Sequence, residues 1–195
     1  MKLKKSISKD EINELPIGKF EGHTLVVSKP DEVSTALEIL AQEPILGFDT
    51  ESRPSFKKGK AWPVSLIQLA SADIACLFQI GIMGLHPELI SFLARPQVKA
   101  GVAVGDDAKA IAKIAPCEIT KLIDLATIAK SNNIQNISLR ALTAITHGIR
   151  ISKGAKLSNW ANHQLSEAQI SYAATDAWAG YIVYKSFEAA GFLDT

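Results

Sequence analysis

Cysteine is scarce in this chain of 195 residues, and long apolar runs are absent. The two cysteines, Cys76 and Cys117, form no zinc-like or redox-like pair, so neither a disulfide framework nor a cysteine metal site is expected. No apolar run approaches the roughly 20 residues that a helix needs to cross a bilayer. The lysine-rich N-terminus is not followed by the apolar segment of a secretory signal. We therefore predict a cytoplasmic protein that does not span a membrane.

Histidine is also sparse, and none of the four histidines stands at the spacing of a zinc motif. The glycines of "GVAVGDD" lack the third glycine of a dinucleotide-binding fingerprint, so a Rossmann-type cofactor is not indicated. These absences leave carboxylates as the residues best able to hold a metal ion.

Acidic residues are missing from two stretches of the chain, and both stretches are basic. The range 125–166 has no acid and five basic residues: Lys130, Arg140, Arg150, Lys153 and Lys156. The range 52–72 also lacks acids and contains Arg53, Lys57, Lys58 and Lys60. Solvated loops explain most single clusters of this kind, but two of them beside acidic motifs favour a phosphate-rich partner. Three basic residues of the first stretch are candidates for contacts with such a partner: Arg150, Lys153 and Lys156.

Length and composition predict one folded domain of the α/β class. Residues 1–22 are polar and rich in lysine and glutamate, and we expect a leader that precedes a single domain at 23–195. Strand patterns such as "HTLVVS", "ILGFDTE", "VSLIQLA" and "IACLFQI" come first, and helical patterns alternate with strands later. This order predicts a central mixed β-sheet flanked by helices. The longest helix is predicted from Ser166, with a capping box to Gln169, to about Gly191.

Two pairs of polar side chains share a face of their elements. Asp49 and Glu51 are two apart in the predicted strand "ILGFDTE", so they point to one side while Phe48 points to the other, towards the core. Tyr172 and Asp176 are four apart in the last helix and also share a face. Each pair alone is common, and the proximity of all four side chains is a hypothesis.

A further acidic position is "GDD", which ends the predicted strand "VKAGVAV" and opens a helix. Asp106 and Asp107 are adjacent and cannot point the same way. One of them is therefore expected to cap the helix, and the other is free for another role.

Several carboxylates brought together without a cation would repel one another, and some would have to bind protons. Carboxylate oxygens are ligands that suit Mg²⁺ or Mn²⁺. The sequence thus favours a site for hard divalent cations.

Three motifs, "FDTE", "AGVAVGDD" and "YAATD", resemble in order and spacing those of the DEDD 3′–5′ exonucleases. The stretch "LSNWANHQLSEAQISYAATDAWAGYIVY" is similar to the exonuclease domain of the Werner syndrome helicase and to ribonuclease D. The resemblance extends from about Thr24 to Gly191, and the spacing of Tyr172 and Asp176 matches the tyrosine subgroup. It implies an RNase H-like fold.

The resemblance also implies roles for individual residues. Asp49, Glu51, Asp107 and Asp176 would be the catalytic carboxylates that bind two divalent cations, Mg²⁺ or Mn²⁺, and Asp106 would be left as the helix cap. Tyr172 would be the catalytic tyrosine beside the attacking water. The implied partner is nucleic acid, either a single strand or the 3′ end of a duplex, of DNA or RNA, with no obligate protein partner. The implied activity is hydrolysis of this nucleic acid from its 3′ end to nucleoside 5′-monophosphates. The substrate-binding residues would be Arg150, Lys153, Lys156 and the tryptophan of "SNW", Trp160.

Two other functions are compatible with the motifs. A non-catalytic nucleic-acid-binding module could retain the fold, although clustered acids disfavour binding of a polyanion without a cation. A phosphatase for small phosphoesters would turn over mononucleotide-like substrates regardless of chain length. Metal-dependent hydrolysis of an oligonucleotide separates the exonuclease from both.

Overall fold

A single β-sheet forms the centre of the structure, a computed structural model that describes residues 3–55 and 61–193. Six strands are found in these ranges: β1 His23–Val27, β2 Ile45–Ser52, β3 Val64–Ala70, β4 Ile74–Phe78, β5 Val98–Gly101 and β6 Leu122–Asp124. Their order across the sheet is β1-β4-β3-β2-β5-β6. β3 is antiparallel to β4 and to β2, whereas β1 with β4, β2 with β5 and β5 with β6 pair in parallel. The prediction of a mixed sheet is confirmed, and β3 and β4 form an antiparallel hairpin.

Helices cover both faces of this sheet. Their bounds are α1 Lys9–Glu14, α2 Val33–Leu40, α3 Ile80–Met83, α4 Pro87–Leu93, α5 Val104–Ala112, α6 Leu125–Ser131, α7 Leu139–His147 and α8 Glu167–Ala189, and a 3-10 turn, Pro30–Glu32, precedes α2. Buried residues of α2 to α5 pack with Phe48 of β2 on one face. The other face carries α8, against which α6 and α7 pack. The flanked sheet matches the predicted α/β architecture.

The structure differs from the sequence prediction between β5 and α5. The strand ends at Gly101, three residues before the predicted end, and the helix starts at Val104 instead of Asp106. Ala103 adopts a left-handed conformation, with φ at 61°, and so turns the chain from the strand into the helix. Four short elements were not predicted, because three to seven residues leave little periodicity: α1, α3, β6 and α6.

Residues 3–22 contact the rest of the chain. Leu3 packs with Val183 and Phe187 of α8, and Ile7 and Ile12 pack against α7. A capping box of Ser8 and Glu11 begins α1. The division of the chain into a leader and a domain at residue 22 stays a prediction.

Two glycines allow α8 to lie directly on the sheet. A Cβ atom at Gly47 of β2 would stand 1.8 Å from the carbonyl oxygen of Ala177, and one at Gly180 would stand 2.5 Å from that of Ala100. A side chain at either position would force the helix away from the strands. This close approach brings the middle of α8 over β2, where the acidic residues lie.

Among the helices of the described ranges, none combines the length and the apolar character that a membrane-spanning segment needs.

Candidate metal centre

Three acids from two elements converge at the end of β2. Asp49 and Glu51 extend from the same face of the strand, and Asp176 comes from α8, which crosses above it. Each residue offers a carboxylate oxygen, and these oxygens all lie within 4.8 Å of one another. Asp176 is 9% exposed, and Phe48 is buried on the opposite face of the sheet. The predicted sharing of a face by Asp49 and Glu51 is confirmed.

Asp107 lies beside this group and is oriented by a threonine. The hydroxyl of Thr50 donates a hydrogen bond to Oδ1 of Asp107, which occupies the first turn of α5. The charge of Asp107 raises the pKa of both Asp49 and Glu51, after larger effects of burial and of Asp176. Thr50 was missed by the sequence analysis, because it points away from its two acidic neighbours and only the packing of α5 on β2 gives it a partner.

The prediction that Asp106 caps a helix is wrong. Ala103 occupies the cap position, without a side-chain hydrogen bond, and Asp106 lies inside the first turn. Its side chain is 83% exposed and forms an ion pair with Lys109, with 3.0 Å between Oδ1 and Nζ. The helix begins two residues earlier than expected, and this shift turns Asp106 to solvent and Asp107 towards β2.

The carboxyl groups of the cluster resist ionisation in the metal-free protein. Burial, followed by repulsion from Asp176, raises the pKa of Glu51 to about 8. Burial raises the pKa of Asp176 to about 7, although the Tyr172 hydroxyl and Lys156 favour its charged form. The pKa of Asp49 is well above its ordinary value because it is buried among the other acids. A bound cation would stabilise the ionised form of these carboxyl groups, because its charge takes the place of the protons.

Tyr172 lies one helical turn before Asp176 and contacts its carboxylate. Burial raises the pKa of the Tyr172 phenol above its ordinary value, and the negative charges of Asp176 and Glu51 raise it further. The phenol therefore keeps its proton at neutral pH and acts as a hydrogen-bond donor. The structure places Tyr172 beside the three acids, as the helical spacing predicted.

Trp160 packs behind Tyr172 and not on the surface. Its ring centroid lies 5.9 Å from that of Tyr172, and the side chain is 1% exposed. This burial contradicts the prediction that Trp160 binds the substrate. The loop around it is held by Gln79, which donates to the carbonyl of Asn162, and by Gln169, which donates to that of Asn159. Trp160 is thus a packing partner of the tyrosine.

The three predicted basic residues of 150–156 occupy different environments. Lys156 is exposed, and its charge lowers the pKa of Glu51 and Asp176. Lys153 is exposed beside α1, in a cleft lined also by Ile7. Arg150 donates from Nε to the carbonyl of Leu15, 2.8 Å away. Of the three, Lys156 is the residue whose charge favours the ionised form of the clustered acids.

The second basic stretch lies at the β2–β3 connection. Lys57, Lys58 and Lys60 fall outside the described residues. Arg53 lies over the ring of Trp62, 4.9 Å from its centroid.

The raised pKa values predict how pH acts on the metal-free protein. Between pH 5 and 8 the folded carboxyl groups hold protons that the unfolded chain, with pKa values near 4, has released. The free energy of unfolding therefore falls as pH rises through this window, because the folded state binds more protons. We expect Glu51→Gln to flatten this decline, measured as the melting temperature in chelator at each pH. Asp106→Asn is the control and should keep the wild-type slope. A slope for Glu51→Gln equal to that of wild type would contradict the raised pKa of Glu51.

The fold and the acid cluster define a class of protein: an RNase H-like domain with a carboxylate centre suited to divalent cations. The chain belongs to the 3′–5′ exonuclease family, since the model of that family matches residues 25–190. It is 30% identical over 194 residues to the mouse bifunctional 3′–5′ exonuclease/ATP-dependent helicase WRN, and 29% identical over 151 residues to an Arabidopsis thaliana 3′–5′ exonuclease. The first alignment covers 94% of this chain and 14% of the mouse protein, and the second covers 72% of this chain and 51% of the Arabidopsis protein. The chain therefore spans only part of the length of these relatives.

Solved structures show the same fold. The Nibbler EXO domain of Aedes aegypti superposes with a TM-score of 0.77 at 24% identity, covering 88% of this chain and 91% of the other. Escherichia coli RNase D, an exoribonuclease involved in structured RNA processing, gives a TM-score of 0.75 at 20% identity, covering 88% and 47%. The RNase H-like architecture expected from the motifs is confirmed.

Proposed function

We propose that this chain is a metal-dependent 3′–5′ exonuclease of the tyrosine subgroup, which releases nucleoside 5′-monophosphates from the 3′ end of nucleic acid. The observation that carries the proposal is the convergence of Asp49, Glu51 and Asp176 within 4.8 Å, with Tyr172 on the same helix as Asp176. The scarcity of cysteine supports a reducing compartment, and we propose the cytoplasm.

Four carboxylates would hold the cations: Asp49, Glu51, Asp107 and Asp176. They fit this task because burial and mutual repulsion disfavour their charged forms until a cation compensates. The oxygen-only donor set suits Mg²⁺ or Mn²⁺. When bound, two such ions supply activation of the attacking water and stabilisation of the leaving 3′ oxygen.

The remaining tasks fall to other side chains of the site. The Tyr172 phenol is a poor base, because burial and the nearby acids keep it protonated. Its hydroxyl would instead hold the attacking water in line with the scissile phosphate. Lys156 would attract the substrate backbone to a site that is otherwise acidic, since its charge already acts on Glu51 and Asp176.

The test is hydrolysis of a 5′-labelled single strand with and without Mg²⁺ or Mn²⁺. We expect a ladder that shortens from the 3′ end, nucleoside 5′-monophosphate as the product, and no activity in excess chelator. Matched DNA and RNA strands determine which sugar is preferred. Full hydrolysis in chelator would overturn the metal-dependent mechanism, and tight binding without cleavage would favour the non-catalytic module. Turnover of mononucleotide-like phosphoesters alone would favour the phosphatase.

Lys156 offers a separate test of substrate binding. Lys156→Gln should weaken oligonucleotide binding and reduce the log–log salt slope by about 0.7, the value for one single-strand phosphate contact. Lys153→Gln makes the same change at another predicted substrate-binding lysine, which is exposed beside α1, and a smaller loss of binding there would distinguish the two positions. The measurement is fluorescence anisotropy across a salt series, in Ca²⁺ or chelator to prevent cleavage. Equal slopes for wild type and Lys156→Gln would remove Lys156 from the proposed binding surface.

A further inference from the structure

Gln68 faces the metal centre from the neighbouring strand. In the antiparallel pairing of β2 with β3, Gln68 stands directly opposite Asp49. Directly opposed residues of an antiparallel pair extend from the same face, with Cβ atoms about 4.5–5.5 Å apart. Its side chain therefore leaves the sheet beside that of Asp49, on the side covered by α8.

The amide of Gln68 is fully buried and has no partner among the described residues. The side chain is 0% exposed, and neither Nε2 nor Oε1 makes a hydrogen bond. A buried primary amide offers two donors and an acceptor, and leaving all of them unpaired is costly. Such a group in a native interior calls for an explanation, and a bound water that bridges to another polar group is a common one.

The surroundings of Gln68 leave Asp49 as its polar neighbour within the sheet. On the other side, Gln68 pairs with Leu77 of β4. Its neighbours on the same face of β3, Leu66 and Ala70, belong to apolar clusters with residues of α8. An apolar side chain of similar size would fill this position equally well, so the amide has no packing reason to be there.

We propose that Gln68 is a positioning residue for the metal centre: its amide donates, through one bridging water, to the Asp49 carboxylate and fixes which Asp49 oxygen faces the cation. The proposal rests on the proposed function, since it assumes that Asp49 is a metal ligand. Carboxylate ligands are held in this way by hydrogen bonds from residues that do not contact the metal. A neutral amide suits the position, because it adds no charge to the cluster and leaves the attraction for cations undiminished.

The test compares Gln68→Met, which keeps the length and volume of the side chain but removes the amide, with wild type. We expect Mn²⁺ affinity to fall about 10–100-fold, the usual effect of losing an outer partner of a metal ligand. Mn²⁺ binding is measured directly by electron paramagnetic resonance, without substrate. The melting temperature in chelator should change little, because the proposed partner of the amide is a metal ligand and the methionine fills the same volume in the core. At limiting Mn²⁺, kcat should fall while the KM for oligonucleotide stays the same.

Two variants control for packing. Ser71→Ala removes another buried polar group that has no partner among the described residues, a hydroxyl at the hairpin end of β3, and should leave Mn²⁺ affinity unchanged. Gln68→Asn retains an amide and should recover part of the affinity lost in Gln68→Met. Mn²⁺ affinity of Gln68→Met within twofold of wild type would overturn the proposal. A Gln68→Met protein that melts far lower in chelator, or does not fold, would also overturn it, because the amide would then serve the fold.

The wild-type measurements separate this proposal from the proposed function. Wild type that binds Mn²⁺ but does not cleave oligonucleotides, with weaker binding in Gln68→Met, would support the role of Gln68 and overturn the exonuclease. Wild type that cleaves, with normal Mn²⁺ affinity in Gln68→Met, would overturn the role of Gln68 alone. Wild type that does not bind Mn²⁺ would overturn both.

Discussion

Asp107→Asn is expected to abolish hydrolysis, whereas the same change in the adjacent residue, Asp106→Asn, should leave it nearly intact. Asp107 accepts the hydrogen bond of Thr50 and acts electrostatically on Asp49 and Glu51. Its loss would remove a proposed metal ligand, so the fall in kcat should exceed the about 10–100-fold typical of an outer residue. Asp106 forms an exposed ion pair with Lys109, and such pairs contribute about 0–1 kcal/mol to stability.

Comparison of Asp107→Asn with Asp106→Asn is informative because the two substitutions are chemically identical and one residue apart. Turnover is measured at saturating oligonucleotide over a range of Mn²⁺ concentrations, and melting temperatures in chelator confirm that both variants fold. Asp107→Asn should melt no lower than wild type, since burial and nearby acids raise the pKa of Asp107 and its charge opposes folding. Loss of activity in Asp106→Asn with normal activity in Asp107→Asn would show that the wrong aspartate has been assigned.

Tyr172→Phe should lower kcat by about 10²–10⁴-fold, the usual loss when one positioning or acid–base contact is removed. The substitution deletes only the hydroxyl, so the ring keeps its packing against Trp160 and the four carboxylates stay in place. Since the contact to the attacking water matters mainly in the transition state, the KM for oligonucleotide and the affinity for Mn²⁺ should change little. The measurement is single-turnover cleavage, with metal binding measured separately.

Tyr184→Phe provides the control on the same helix. Tyr184 packs in the cluster formed by α8 with α6 and α7, away from the acids, and its hydroxyl has no part in the proposed mechanism. Its substitution should leave kcat unchanged. A Tyr172→Phe enzyme with near-normal kcat would mean that Tyr172 serves only packing. A fall in Mn²⁺ affinity equal to the fall in kcat would instead indicate that the hydroxyl orients Asp176.

The metal centre could be predicted in large part because its members follow local periodicities. Alternation in β2 places Asp49 and Glu51 on one face, and the helical repeat in α8 places Tyr172 beside Asp176. Both rules act within one element and depend little on its neighbours. Proximity of the two pairs was a hypothesis from the residues, supported by the resemblance to a family, and the structure brings their side chains together.

Other features depended on contacts between elements far apart in sequence. Trp160 was predicted to bind substrate, yet the loop that carries it buries the side chain against Tyr172 of α8. Lys153 and Lys156 look alike in sequence, but one faces α1 and the other acts on the acids. Tertiary packing decided each of these, because loops have no repeat from which a direction could be inferred.

The sequence by itself determined the class of fold, the strand and helix that carry the acids, and the face on which each acid lies. These follow from apolar periodicity, which reports the burial of one face of an element. No periodicity distinguishes the two aspartates of "GDD", and Asp107 was assigned only through the resemblance to the exonuclease motifs. The structure gives the physical reason why Asp107 turns inwards, because Ala103 shifts the start of α5 by two residues. It also decided that Thr50 holds Asp107 and that Gln68 lies beside Asp49, because strand register and the crossing of helices over the sheet arise from contacts that no local pattern records.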